Sequence, residues 1–270
     1  MPVIHVFYYT DPACPWSWAL EPSLRKLLCV FGQSLRFTYV MCGMAREFAD
    51  PRALVGELLE VGARSGMPVD PRLWLEGPPA SSFPACIAVK AAAEQGDPAA
   101  YLRRVREGLQ CRRRKLDGAE ALVEEARAVP GLDVERFRID LSSHASLESF
   151  GADLERASAV APQHYAPGSD RVQLPSLEFR APDGAVHGVY GYVAYEDLER
   201  AALAAGAEPS ADPPPGIEAA LRTFGSMATA EVAAVCALPG PRAPAELWRL
   251  ASEWRLQSER VGSGELWSPA

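Results

Sequence analysis

The chain has 270 residues, 48% of them apolar and 23% charged, with a formal net charge of −8. That length can bury a full core as one large domain or two, and the negative balance argues against a general nucleic-acid binder. No apolar run approaches the ~18 residues of a membrane span, and six cysteines without a Cys-x-x-Cys pair or a Cys/His zinc spacing exclude a disulfide framework and a metal centre.

The start, Met1-Pro2-Val3-Ile4-His5, has no basic segment and no small-residue cleavage site, so it does not read as a secretory signal. A cytoplasmic chain with reduced thiols is expected. Residues 2–9, rich in β-branched and aromatic side chains, read as a strand. Residues 19–31 read as an apolar-periodic helix ending at Gly32. Between them lies Asp11-Pro12-Ala13-Cys14-Pro15-Trp16-Ser17-Trp18, so Cys14 falls where a strand ends and a helix begins. The first turn of a helix has unpaired N–H groups and the positive end of the macrodipole. Both favour a thiolate, and the pKa of Cys14 is expected below the free value of ~8.5. Pro15 suits the first helical position, where its missing N–H is not needed. Cys14 reads as a reactive thiol, the bland alternative being a buried space-filler.

This loop resembles the active-site loop of the DsbA/FrnE-like branch of the thioredoxin superfamily. Members usually carry Cys-Pro-Trp-Cys; here Ser17 replaces the second cysteine. The resemblance implies an α/β thioredoxin-like fold with a helical insertion domain. Cys14 and Ser17 would be the catalytic pair, with Pro15 and Trp16 in the active-site loop. Without a second motif thiol, the ordinary dithiol cycle lacks its resolving step. The related kappa-class glutathione transferases and chromene-carboxylate isomerases tend to have serine at the position of Cys14.

Residues 35–41 form a second strand, and strand, helix, strand in this order makes a βαβ unit with parallel strands. Cys42 follows the second strand and should share an edge with Cys14, which makes it a candidate resolving thiol. From about 51 to 166 the chain reads as almost entirely helical, with segments at 52–61, 83–90, 101–115, 119–128, 134–141 and 147–159. Ser81 or Ser82 should cap the second of these. In relatives this segment faces the active site, so Cys86 is a further candidate resolving thiol. The basic run from Arg103 to Lys115 could receive an acidic partner or a glutathione carboxylate, or be a solvated helix face.

Gln173-Leu174-Pro175 precedes an alternating strand at 176–180. It resembles the cis-proline loop of thioredoxin-like proteins, with Leu174 and Pro175 as substrate-binding residues. Pro182-Asp183-Gly184 should turn the chain into a returning strand at 185–190. A helix at 193–205 then closes the thioredoxin-like unit, residues 1–207.

Residues 208–216, Glu-Pro-Ser-Ala-Asp-Pro-Pro-Pro-Gly, are a linker by composition. Residues 217–270 read as three helices and a hairpin, the outline of a winged helix. Seven acidic residues against five arginines over 209–270 disfavour DNA binding. Trp248 and Trp254 read as packing residues. A docking or dimer module, homodimerisation included, or a lid over the thiol site is the favoured reading.

Three functions follow from these features. The first is a cytosolic thiol–disulfide oxidoreductase or isomerase that forms a mixed disulfide at Cys14 with protein or small-molecule thiols. No tightly bound cofactor is expected; glutathione would enter as co-substrate. The second is a glutathione-linked transferase or isomerase of kappa-class type. The third is a non-catalytic adaptor.

Overall fold

The computed structural model describes residues 3–270; the strand start expected at Pro2 lies outside them. In chain order, β1 (Ile4–Thr10) runs into a loop and the one-turn helix α1 (Pro15–Ala19). Then come α2 (Glu21–Phe31) and β2 (Leu35–Met41). The single helix expected after Cys14 is two: Pro22, at the second position of α2, has no N–H to return to the preceding turn. Seven helices follow, α3 (Ala53–Ser65), α4 (Leu73–Glu76), α5 (Phe83–Ala93), α6 (Ala99–Gln110), α7 (Ala119–Arg127), α8 (Val134–Leu141) and α9 (His144–Ser158). The chain returns through β3 (Ser176–Arg180), β4 (Val186–Tyr190) and α10 (Tyr195–Ala204). The last segment holds α11 (Ile217–Phe224), β5 (Met227–Ala228), α12 (Thr229–Val235), α13 (Arg242–Ser252), β6 (Leu256–Val261) and β7 (Gly264–Pro269). No described helix is long and apolar enough to cross a membrane.

The main sheet has the order β2-β1-β3-β4. β1 and β2 are parallel, from Ile4 opposite Leu35 to Thr10 opposite Met41. β3 is antiparallel to β1, with Tyr9 opposite Ser176. Side chains alternate across β1, as strand geometry requires. Ile4, Val6 and Tyr8 join a core with α2 and α10. Phe7 and Tyr9 join another with Val40, Cys42 and Ala157. The largest core gathers the helical insertion around Ala13, Trp18, Ala19 and Met41, and so sits directly beneath the loop that carries Cys14.

Residues 205–216 run without helix or strand. They are nevertheless tied down: Ser210 N–H donates to Val30 O at 2.6 Å and Ser34 Oγ donates to Glu208 O at 2.8 Å. In the C-terminal segment a three-stranded sheet, β5-β7-β6, packs with three helices. Its core, centred on Trp267, Leu247 and Leu221, takes in Cys29 from α2. Ala228, Val261 and Leu266 belong instead to the insertion's core. The hairpin tip rests on residue 69: Ser263 N–H donates to Val69 O at 3.2 Å and Val69 N–H to Ser263 Oγ at 3.0 Å. Gly262 has φ +27, and a Cβ there would lie 2.2 Å from Val69 O, so only glycine permits this approach.

Candidate functional site

Cys14 is the N-cap residue of α1, with φ −68 and ψ 117. Its sulfur accepts the N–H of Ser17 at 3.4 Å. The Ser17 hydroxyl in turn accepts from Thr10 Oγ1 at 2.9 Å. Arg106, from α6, donates to Thr10 Oγ1 and to Glu21 Oε1. A polar chain thus runs from Glu21 through Arg106, Thr10 and Ser17 to the thiol. All five residues are buried.

The helix start was expected to acidify Cys14, and the structure corrects this. The thiol is only 3% exposed, and burial pushes it up to about 11. Hydrogen bonding from Ser17 pulls the other way, while the charges of Asp11 and Glu57 add to the rise. Desolvation disfavours the charged form, and burial is the largest influence on this thiol. Iodoacetamide modification of Cys14 should therefore rise about tenfold per pH unit from pH 7 to 10, because the thiolate fraction grows in that proportion below the pKa. Half-buried Cys29 should react first. A plateau at Cys14 by pH 8, mapped by mass spectrometry, would show that the helix start outweighs burial.

Asp11 holds the loop, a role the sequence reading missed although the residue stands in the motif. Its Oδ1 accepts from Ala13 N–H at 2.8 Å, and Oδ2 accepts from Met44 N–H (2.6 Å), Ser82 Oγ (2.8 Å) and Cys86 Sγ (3.2 Å). Burial still raises its carboxyl, against those four donors. Ser82 is the N-cap of α5 by position, but its hydroxyl goes to Asp11 instead of capping. Cys86 is thus engaged with Asp11, and Cys42 Sγ donates to Val40 O at 3.5 Å. Both thiols are buried and pushed well above their ordinary value.

Pro15 follows as the first residue of α1. Trp16 forms a clasp over the loop: its ring meets Tyr192 at 5.3 Å, and Arg64 lies over both rings. The Leu174–Pro175 peptide bond is cis. Pro175 comes one residue before the Ser176–Tyr9 pair, so it neighbours the end of β1 from which the Cys14 loop departs.

The basic run does not form the face expected of it. Arg103 and Arg106 are buried in ion pairs with Glu21, Glu107 and Glu231. Arg104 and Arg114 share Glu125, and Arg112 joins Glu107 to Glu259. α6 ends at Gln110, and Arg113 adopts φ 53, so the run 111–115 is not helical.

A thiol-bearing loop fed by a central strand and opening onto a helix is the arrangement of thioredoxin-fold proteins. The helical block between the second and third strands makes this one of the DsbA-like kind. The chain belongs to the thioredoxin family: the family model described as Thioredoxin matches residues 7–162. It is similar to the ClpXP adapter protein SpxH of Bacillus subtilis, 28% identical over 276 residues, covering 98% of this chain and 88% of that one. Two solved structures share the fold. One is a candidate protein disulfide isomerase from Nitrosomonas europaea, with TM-score 0.64, 17% identity, and 75% of this chain and 97% of that chain covered. The other is the cytosolic disulfide reductase DsbM from Pseudomonas aeruginosa, with TM-score 0.54, 18% identity, and coverage of 68% and 88%.

Proposed function

We propose that this chain is a cytoplasmic protein adaptor that binds client proteins for a ClpXP-type protease, and that its thioredoxin unit serves binding before catalysis. The observation that carries this reading is the state of Cys14: a thiol 3% exposed, pushed up to about 11, with a hydroxyl where dithiol exchange needs a second sulfur. The extent of the likenesses supports it. The Nitrosomonas protein is almost fully matched by three quarters of this chain, whereas the adapter relatives are matched across 98% of it.

A second reading keeps a specific observation in its favour. Cys14 retains an N–H donor from Ser17 at 3.4 Å, which would steady a thiolate once the Trp16 clasp moves. In that reading a single-thiol oxidoreductase or isomerase exchanges disulfides with protein thiols, and glutathione resolves the mixed disulfide.

The test uses ClpXP with proteolytically inactive ClpP, and proteins retained with and without this chain are identified. Equal retention by wild type and Cys14→Ala is the expected result. Loss of retention in Cys14→Ala would transfer the function to the thiol.

A further inference from the structure

The helix that Cys14 caps has only five residues. A helix that short is not stable in isolation, so what packs against it fixes its place. Ala13, just before the thiol, and Trp18, on α1, are both buried. They share the insertion's core with Ala228, Val261 and Leu266 of the C-terminal segment. The thiol loop is therefore packed in part by the far end of the chain.

Two polar routes make the same connection, and both pass through Trp18. On the first, Trp18 Nε1 donates to Pro68 O at 2.9 Å, and Cys111 Sγ donates to the same carbonyl at 3.2 Å. The next residue, Val69, has its backbone N–H and O both bonded to Ser263 at the tip of the β6–β7 hairpin. On the second, the Arg103 guanidinium lies 4.3 Å from the centre of the Trp18 ring. Glu231 of α12 holds it there at 2.7 and 2.9 Å. Arg103 also donates to Glu21, from which the buried chain runs through Arg106, Thr10 and Ser17 to the sulfur. Cys42 differs: its core is built on Phe7, Val40, Ala157 and Val172 and includes no described residue of the C-terminal segment. The C-terminal segment thus bears on one buried thiol and not on its neighbour. It has a core of its own around Trp267 and follows residues 205–216, which form no helix or strand. Such a unit can part from the rest without unfolding, because sub-global opening needs less free energy than global unfolding.

We propose that the C-terminal segment is an autoinhibitory brace on the thiol loop: docked, it keeps Cys14 buried, and a partner that draws it away exposes the sulfur. The brace goes beyond the adaptor reading and does not depend on it, since it governs access to Cys14 whether the exposed thiol binds or exchanges.

Iodoacetamide labelling of the full chain at fixed pH, mapped by mass spectrometry, tests this with the protein's own cysteines. Gly262→Ala would place a Cβ 2.2 Å from Val69 O and force the hairpin tip off it. Labelling of Cys14 should rise at least about tenfold as the opened form becomes more populated. Cys111, on Pro68, should rise with it, and Cys42 should keep its wild-type rate. Ser263→Ala removes only the side-chain acceptor of Val69 N–H and leaves the fold intact. It should raise Cys14 labelling at least about threefold, as the loss of one neutral hydrogen bond allows. A Cys14 rate unchanged in both variants overturns the proposal, because the thioredoxin unit alone would then close the loop. So does a rise in Ser263→Ala that Cys42 shares in equal proportion, since only global unfolding would then free the thiol.

Discussion

Replacing Glu231 with alanine should destabilise the protein by about 3–5 kcal/mol, the usual effect of removing one partner from a buried ion pair. Glu231, on α12, is completely buried. Its carboxylate receives Arg103 at 2.7 and 2.9 Å and Arg25 at 3.0 Å, and it also accepts Ala228 N–H at 2.6 Å. The same Arg103 donates to Glu107 at 2.8 Å and to Glu21 at 3.2 Å, and it lies over the Trp18 ring. Three carboxylates therefore face Arg25, Arg103 and Arg106, and the charges balance. Without Glu231 one buried guanidinium is left uncompensated, and the cap of α12 goes with it. A melt followed by circular dichroism should shift down by roughly 10 °C. The network also has a pH signature. Glu21 and Glu107 are buried, but the arginines hold their carboxyls below the ordinary range. A folded pKa below the unfolded one adds stability that is complete above about 4.3 and fades as pH falls through the folded values. Acid unfolding of Glu231→Ala should thus begin at higher pH than that of wild type. A loss smaller than about 1 kcal/mol would show that apolar packing on α2, not this network, fixes the C-terminal segment.

Arg103 illustrates where the sequence stops being legible. The spacing of 103, 104 and 106 on one helix can be read locally, and it suggests a basic face. Whether that face meets water or Glu231, 128 positions away, is decided by how α2, α6 and α12 pack, and periodicity carries no such information. Local signals did better. The strand before Cys14, the helix opening at Pro15, the strand at 35–41 and the hairpin turn at 182–184 each depend on a few adjacent residues. The break at Leu20 was legible too, in Pro22. Cys14 itself lay between the two cases. Its position at a helix start is local, but its acidity depends on the burial supplied by Trp18, Asp11 and the helical insertion, and burial wins. Trp254, read as a packing residue, failed for a related reason: it is exposed just past α13, and residue type and spacing cannot see a reversal of φ at a helix end.

Substituting cysteine for Ser17 should give the protein a dithiol reductase activity at least about tenfold above its own background, measured as insulin precipitation with dithiothreitol. The new thiol would lie one turn from Cys14, on the same face of α1, where Ser17 N–H already reaches the sulfur at 3.4 Å. Cys14 thiolate attacks a substrate disulfide and forms a mixed disulfide, releasing one substrate thiolate. The introduced thiol, deprotonated, attacks the Cys14 sulfur and expels the second substrate thiolate. That leaves an intramolecular disulfide, which dithiothreitol reduces. The double substitution with Cys14→Ala should return the rate to background. Burial, which pushes the Cys14 thiol up to about 11, sets the pH dependence: the thiolate is a small minority at neutral pH, so the rate should climb steadily toward alkaline pH. Thr10 would lose a good acceptor in the Ser17 hydroxyl, a neutral hydrogen bond worth about 1 kcal/mol, too little to unfold the loop that Asp11 anchors. If Ser17→Cys alkylates at both positions yet leaves insulin reduction unchanged, the missing sulfur is not what silences this site. The clasp of Trp16, Tyr192 and Arg64 over the loop would then be the barrier, and removing it with Tyr192→Ala in the same background should release the activity.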